Sequence, residues 1–246
     1  MGTYTRYFAL GDSMSIDDYP TCDVLGVRSI VPRLRQPIGA ASLLFQNHAV
    51  RWPEFQGRDL QTHHPGIAFR NLARDGATIG MAYKEQLLQV ETGDGGSGVL
   101  VTLTAGGHDL LAALAPTLET ADLYQAVQSV VQDYSGLVDA LRQRLPRATF
   151  VLTTLYDASD GEGRASRVSD FFGQLPVPVL ERLNDHIRAE AHRVEGCLLA
   201  DLHRHFKGRG ISAPEEQRWN WKHSMVEPNA RGASEIRRVW LEALGE

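Results

Sequence analysis

Val99-Leu100-Val101-Thr102-Leu103-Thr104, followed by Gly106-Gly107-His108-Asp109, is the stretch on which the reading of the fold turns. Six apolar or β-branched residues without strict polar alternation suit a strand buried on both faces, which is a parallel-sheet pattern. Similar runs recur on either side. Tyr4 to Leu10 is a strand candidate ending at Gly11, Thr149 to Leu155 is another, and Gly196 to Leu202 a fifth. Ala68 to Ala73 is shorter and weaker.

Helical periodicity fills the gaps. From Ala121 to Leu145, apolar residues such as Val127, Val130, Tyr134, Leu137, Val138 and Leu141 fall at spacings of three and four, and Pro146 stops the pattern. Val179 to Val194, Asn229 to Leu244 and Ile79 to Val90 carry the same period. Strand, helix, strand in succession requires crossover connections. The expected fold class is therefore α/β: a three-layer α/β/α sandwich over a parallel sheet of about five strands. Tyr19 to Pro37, Tyr156 to Pro178 and His205 to Pro228 lack a period and read as long loops. No linker or repeat divides the chain, so residues 1–246 are expected to form one domain.

Composition narrows the function. The chain has 246 residues, 43% hydrophobic and 22% charged, with a formal net charge of -5. That is an ordinary globular balance with no disordered signature. No apolar run reaches the roughly 20 residues that span a bilayer, so no membrane span is expected. No basic block stands out, so no nucleic-acid partner is expected. Cys22 and Cys197 make no disulfide framework and read as free thiols of a reducing compartment. The start, Met1-Gly2-Thr3-Tyr4-Thr5-Arg6, matches neither a signal peptide nor a myristoylation site. A cytoplasmic chain is expected, although a processed secreted form would read alike. Oligomeric state is not legible.

In open α/β sheets the working groups gather at the carboxyl ends of the strands. After the first strand comes Gly11-Asp12-Ser13-Met14-Ser15, after the second Arg74-Asp75-Gly76-Ala77-Thr78, and after the third Gly106-Gly107-His108-Asp109. Glu227-Pro228-Asn229-Ala230-Arg231-Gly232 precedes the last helix. A hydroxyl that follows a buried strand and faces free backbone N–H groups is placed for attack on a carbonyl, because those donors stabilise the oxyanion that forms.

Taken in order, these four segments resemble the SGNH (GDSL-type) hydrolase family. The resemblance implies a flavodoxin-like fold and a serine esterase that works through an acyl-enzyme on a small-molecule ester, with no cofactor and no metal. It makes Ser13 the nucleophile, Gly76 a backbone donor to the oxyanion, and Gly106 to Asp109 the third block, usually Gly-x-Asn-Asp. Glu227 to Asn229 with Gly232 stands for the fifth block, usually Asp-x-x-His-Pro-Asn followed by glycine. Two positions depart from the pattern. His108 replaces the third-block asparagine, and its ring N–H can still donate to an oxyanion. Glu227 replaces the catalytic histidine, and Ser224 the aspartate.

Three groups are then candidates for the base. Glu227 itself would serve if burial raised its pKa, since a carboxylate near 4.3 is a poor acceptor for a serine proton. His223 would serve with Glu227 orienting it, and is the favoured candidate because imidazole is matched to neutral pH. His108 would serve if held by Glu227. Loss of turnover, leaving a small-ligand binding protein, is the alternative. His203 and His205 read as a surface turn rather than a metal clip, His63-His64 as a solvated pair, and Asp17-Asp18-Tyr19 as an exposed turn. Trp219 and Trp221 read as core cover. Gly93 to Gly98 precedes a strand instead of following one, which disfavours a phosphate loop.

Overall fold

Strands β1 (Arg6–Gly11), β2 (Ala68–Asn71), β3 (Val99–Thr104), β4 (Thr149–Thr153) and β5 (Cys197–Ala200) form one sheet. Every pairing is parallel, and the order is β2-β1-β3-β4-β5. The structure is a computed structural model and describes residues 3–113, 120–162 and 177–246. All six residues of β3 are buried, as are Tyr7 to Gly11 of β1 and Phe150 to Thr153 of β4. Central strands covered on both faces have no solvent side, which is why their sequences lack alternation.

Two helical layers cover the sheet. The long helix α6 (Thr120–Arg144) packs with α4 (Ile79–Met81), α5 (Gly107–Ala113) and α7 (Val177–Arg193) on one side. On the other, α9 (Ala230–Leu244) packs against α1 (Asp18–Leu25) and α2 (Ala40–Phe45). Short helices α3 (Leu60–His63) and α8 (Leu202–His205) complete the set. Trp240 of α9 is wholly buried, and its indole N–H donates to Thr153 Oγ1 at 2.9 Å. Truncating such a side chain to alanine costs about 3–5 kcal/mol.

The expected α/β/α architecture is therefore present, and its strand order has a consequence for function. The chain leaves β1 for β2 on one flank and returns to β3 on the other. The crevice at the carboxyl ends of β1 and β3 is the topological switch point, where ligands of such sheets bind. Ser13 follows β1 by two residues and His108 follows β3 by four.

Several local expectations are corrected. The Ile79 to Val90 segment is helical but irregular: α4 runs into a π-helical turn at Ala82–Gln86 and a 3₁₀ turn at Leu87–Gln89. The π turn delivers Gln86 inward, where its carboxamide both accepts from Gly11 N (2.6 Å) and donates to Gly11 O (2.9 Å). Inserted π turns recur at functional sites. The expected loop from Tyr19 contains α1, whose C-terminus closes on Gly26 in the left-handed region (φ 65°). The expected loop from His205 contains an antiparallel ladder, β6 (Asn220–Trp221) with β7 (Ser224–Pro228). Its connection, Lys222-His223, lacks the glycine or asparagine that announces a hairpin. Of the expected Tyr156–Pro178 loop, residues 163–176 lie outside the described residues, as do Met1 and Gly2.

Candidate active site

Gly11 fixes where the serine emerges. Its φ is +114°, and a Cβ there would lie 1.5 Å from the carbonyl oxygen of Thr104. Only glycine fits such an approach. Asp12 N then donates to Thr104 O at 2.9 Å, tying the turn to the end of β3. A 3₁₀ turn at Ser13–Ser15 follows, capped by Asp12 Oδ1, which accepts from Met14 N at 3.1 Å. Asn71 at the end of β2 donates to Ser15 O at 3.0 Å. Three strand ends thus hold the turn that carries Ser13.

Ser13 is 5% exposed, and its hydroxyl lies beside the Glu227 side chain, close enough to favour the ionised carboxyl. Glu227 lies on β7 and is 4% exposed. Burial pushes its carboxyl up to about 8; the Ser13 hydroxyl opposes the rise, and the charges of Asp12 and Asp75 add to it. Its Oε2 has no hydrogen-bond partner among the described residues. Tyr156 anchors the strand by donating to Val226 O at 2.6 Å. Asn229 caps α9 through Gly232 N (2.8 Å) and donates to Arg218 O (2.8 Å) and Asn220 O (3.2 Å). A Cβ on Gly232 would lie 2.1 Å from Trp219 O, so close chain packing requires glycine there.

His108, in the first turn of α5, reaches the same place. Asp75, His108 and Glu227 each offer a ring nitrogen or carboxylate oxygen, and these atoms lie within 4.8 Å of one another. By composition this trio is also the group of described residues that could hold a metal ion. Asp75 is further engaged by Tyr19, whose hydroxyl donates to Oδ2 at 3.0 Å. Next to His108, Asp109 receives Ile79 N at 3.0 and 3.2 Å, joining the third-strand turn to the start of α4. Burial raises the carboxyl of Asp12 to about 7, against its bonds from Met14 N–H and Thr104.

Gly76 has φ +70°, and a Cβ there would meet nothing within 4 Å. The turn geometry, and no close neighbour, asks for glycine. Among the described residues, neither Ser13 N–H nor Gly76 N–H has an acceptor. Both are amides of the kind that can face a developing oxyanion.

The histidine at the hairpin tip sits elsewhere. His223 packs its ring edge-on to Trp221, with centroids 5.2 Å apart, and lines a cavity with Arg28, Glu215 and Lys222. The geometry thus gathers Ser13, Glu227 and His108, with Asp75 beside them, whereas His223 belongs to the neighbouring cavity.

The model of the GDSL-like lipase/acylhydrolase family matches residues 9–234. The chain belongs to that family. No curated protein matches it. Among solved structures, an extracellular lipase from Streptomyces rimosus is 20% identical, with a TM-score of 0.62 over 97% of this chain and 99% of that one. Phospholipase A1 from Streptomyces albidoflavus NA297 is 18% identical, with a TM-score of 0.59 over 98% and 100%. An acetyl xylan esterase, AlAXEase, is 13% identical, with a TM-score of 0.61 over 97% and 99%. At these identities the likeness is one of fold.

Within the GDSL family frame, some residues turn out differently from their first reading. Asp17 and Asp18 are not an exposed turn: Asp17 accepts from Gly39 N (2.7 Å) and Ser42 Oγ (3.0 Å), and Asp18 is buried and paired with Arg35 (2.7 Å). His64 is buried between Tyr4 N and Glu246. His203 and His205 lie on α8; the first meets Arg188 at 3.4 Å and the second bonds Glu235 at 2.9 Å. Trp219 and Trp221 are buried, as core cover should be. Gln86, Asp75 and Tyr19 received no role from the sequence. Only Asp75 carried a signal, standing directly before Gly76.

A second serine–histidine–carboxylate grouping joins α6 to α7. Ser135 Oγ meets both His186 Nε2 (2.7 Å) and Glu190 Oε1 (3.0 Å). Glu190 is bound by Arg193, and the serine sits inside a helix, away from any strand end. It is an interhelical polar contact, with no free amides to face an oxyanion.

Proposed function

We propose that the protein hydrolyses carboxylic esters through an acyl-enzyme on Ser13, with Glu227 as general base. The observation that carries this reading is the approach of the Ser13 hydroxyl to a buried carboxyl whose pKa is raised to about 8. A base works best when its pKa lies near the operating pH, and burial brings Glu227 into that range. The histidine missing from the usual position is thereby replaced by a desolvated carboxylate, not by His223.

Ionised Glu227 removes the hydroxyl proton as Ser13 Oγ bonds to the ester carbonyl carbon. The carbonyl oxygen becomes an oxyanion facing the N–H groups of Ser13 and Gly76 and the His108 ring. Collapse of the tetrahedral species breaks the ester C–O bond. The departing alkoxide takes the proton held by Glu227 and leaves as alcohol. Water then gives a proton to Glu227 and attacks the acyl carbon. Expulsion of Ser13 Oγ, with return of that proton, releases the carboxylic acid. The names of the solved relatives, spanning lipase, phospholipase A1 and acetyl xylan esterase, support ester hydrolysis as the reaction class.

The test is hydrolysis of short 4-nitrophenyl esters by wild type and Ser13→Ala. The reading expects turnover abolished in the variant, and equal rates in the two proteins contradict it. A second reading, a ligand-binding protein without turnover, is favoured by the raised pKa, because a protonated Glu227 cannot accept the serine proton. Covalent capture of Ser13 by a fluorophosphonate near pH 8.5 separates the two, since the binding protein would remain unlabelled.

A further inference from the structure

The cavity that holds His223 has a volume of about 400 Å³ and is lined by Arg28, Lys222, His223 and Glu215. Among the described residues that line it, Arg28 and Lys222 bring two positive charges against the carboxylate of Glu215, on a chain whose net charge is -5. A local excess of cations on an acidic protein attracts anions.

Its position relative to Ser13 is set by β7. From His223 to Glu227 the chain advances four residues, roughly 13 Å at about 3.3 Å per residue. α1 runs alongside, contacting both β6 and β7, and covers roughly 9 Å from Tyr19 to Leu25 before the chain reaches Arg28. Aromatic rings connect the two places. Tyr19, bonded to Asp75, lies 5.4 Å from Trp221, and Trp221 lies 5.2 Å from His223. An ester carbonyl at Ser13 and an anion at Arg28 and Lys222 would thus be separated by a spacer of roughly that 13 Å.

We propose that the Arg28–Lys222–His223 cavity binds a carboxylate or phosphate on the substrate, so that the preferred esters carry an anion roughly 13 Å from the scissile carbonyl. This rests on the esterase reading of Ser13 and deepens it. Guanidinium and ammonium groups donate charge-assisted hydrogen bonds to either anion. Glu215 opposes binding and sets a preference for the anion over neutral groups only through the remaining excess of positive charge.

The experiment compares 4-nitrophenyl esters of a linear twelve-carbon diacid, with the distal carboxylate free or methylated, together with the distal phosphate analogue and a four-carbon diacid ester. For wild type at low salt, kcat/KM is expected to be roughly fivefold higher for the long carboxylate or phosphate than for its neutral counterpart, the scale of two exposed ion pairs. The short diacid ester should show no such advantage. Arg28→Ala/Lys222→Ala should bring the ratio to about one, Glu215→Gln should increase it, and high salt should shrink it. Turnover of the neutral ester should be unchanged in both variants. No advantage for either anion, or an advantage indifferent to these charges, overturns the proposal. Binding of dodecanedioate and dodecyl phosphate to Ser13→Ala, read by calorimetry, separates the two claims. Charge-dependent binding there with no turnover by wild type would remove the esterase reading and keep the anion site. Turnover without anion preference would remove the site alone.

Discussion

The Ser13 hydroxyl lies beside the Glu227 carboxyl, and the two residues are 5% and 4% exposed. A carboxylate in water is too weak a base for a serine proton. Desolvation penalises its charged form and so raises its proton affinity. The same burial that makes Glu227 costly to ionise is what makes it basic enough to act.

The pH dependence follows from that burial. Glu227 must be ionised to accept a proton, and its pKa is raised to about 8. The kcat/KM for a neutral ester is expected to rise through pH 7 to 8 and level off above pH 9. A histidine base with an ordinary pKa would level off near pH 7. A stopped-rate profile between pH 5 and 10 distinguishes them, and a plateau reached by pH 7 contradicts Glu227 as base.

Substitution separates the candidates for base. Glu227→Gln keeps shape and removes the acceptor, so kcat should fall by about 10²-fold or more. His223→Ala should change turnover of a neutral ester by less than about threefold, because that ring packs on Trp221 and lines the cavity with Arg28 and Lys222. His108→Ala should lower kcat by about tenfold to a hundredfold without moving the pH profile, as expected of an oxyanion donor. Steady-state kinetics on the three variants provides the check, and a dead His223→Ala with an active Glu227→Gln reverses the assignment.

Glu227 should also weaken the fold at alkaline pH. The folded state holds its proton up to about pH 8, whereas the unfolded chain releases it near the ordinary carboxylate value of 4.5. Between those values the unfolded state binds fewer protons, so stability falls as pH rises. Glu227→Gln removes the penalty. It is expected to gain several kcal/mol at pH 9, on the order of 4 by linkage and seen as a higher Tm, and almost nothing at pH 4. Thermal denaturation of both proteins at the two pH values measures this; a gain that does not grow with pH contradicts the assignment.

Gln86 is expected to matter beyond its place on the helix. Its carboxamide accepts from Gly11 N–H inside the core and donates to Gly11 O, which also accepts from Arg74 N at 3.0 Å. Gln86→Leu leaves the buried Gly11 N–H unpaired, at about 1–3 kcal/mol, and loosens the turn that presents Ser13. Chemical denaturation should show the loss, and kcat should drop without a matching rise in KM. An unchanged midpoint and kcat would count against the clamp.

How much of this was legible beforehand depends on the kind of signal. β1, β3 and β4 announce themselves because strands buried on both faces must be apolar throughout. α6 and α9 do so through their period. α1 stayed hidden because its eight residues include Pro20 and lack a clear apolar stripe, and the β6–β7 hairpin because it turns on Lys222-His223. The location of the site was readable, since Ser13, Gly76 and His108 each follow a strand end. The choice of base was not. Sequence places Glu227 four residues from His223, but only folding shows which side chain meets the serine, and only burial sets a carboxyl's pKa. Gln86 was hidden because the irregular turn that aims it has no sequence signature.

The most direct measurement of the central claim is the rate at which a fluorophosphonate labels Ser13 as a function of pH, in wild type and Glu227→Gln. The account predicts labelling that rises with pH to a plateau above about pH 8 in wild type, and that falls by about 10²-fold in the variant. Labelling that is flat across this range, or that persists in Glu227→Gln, contradicts it.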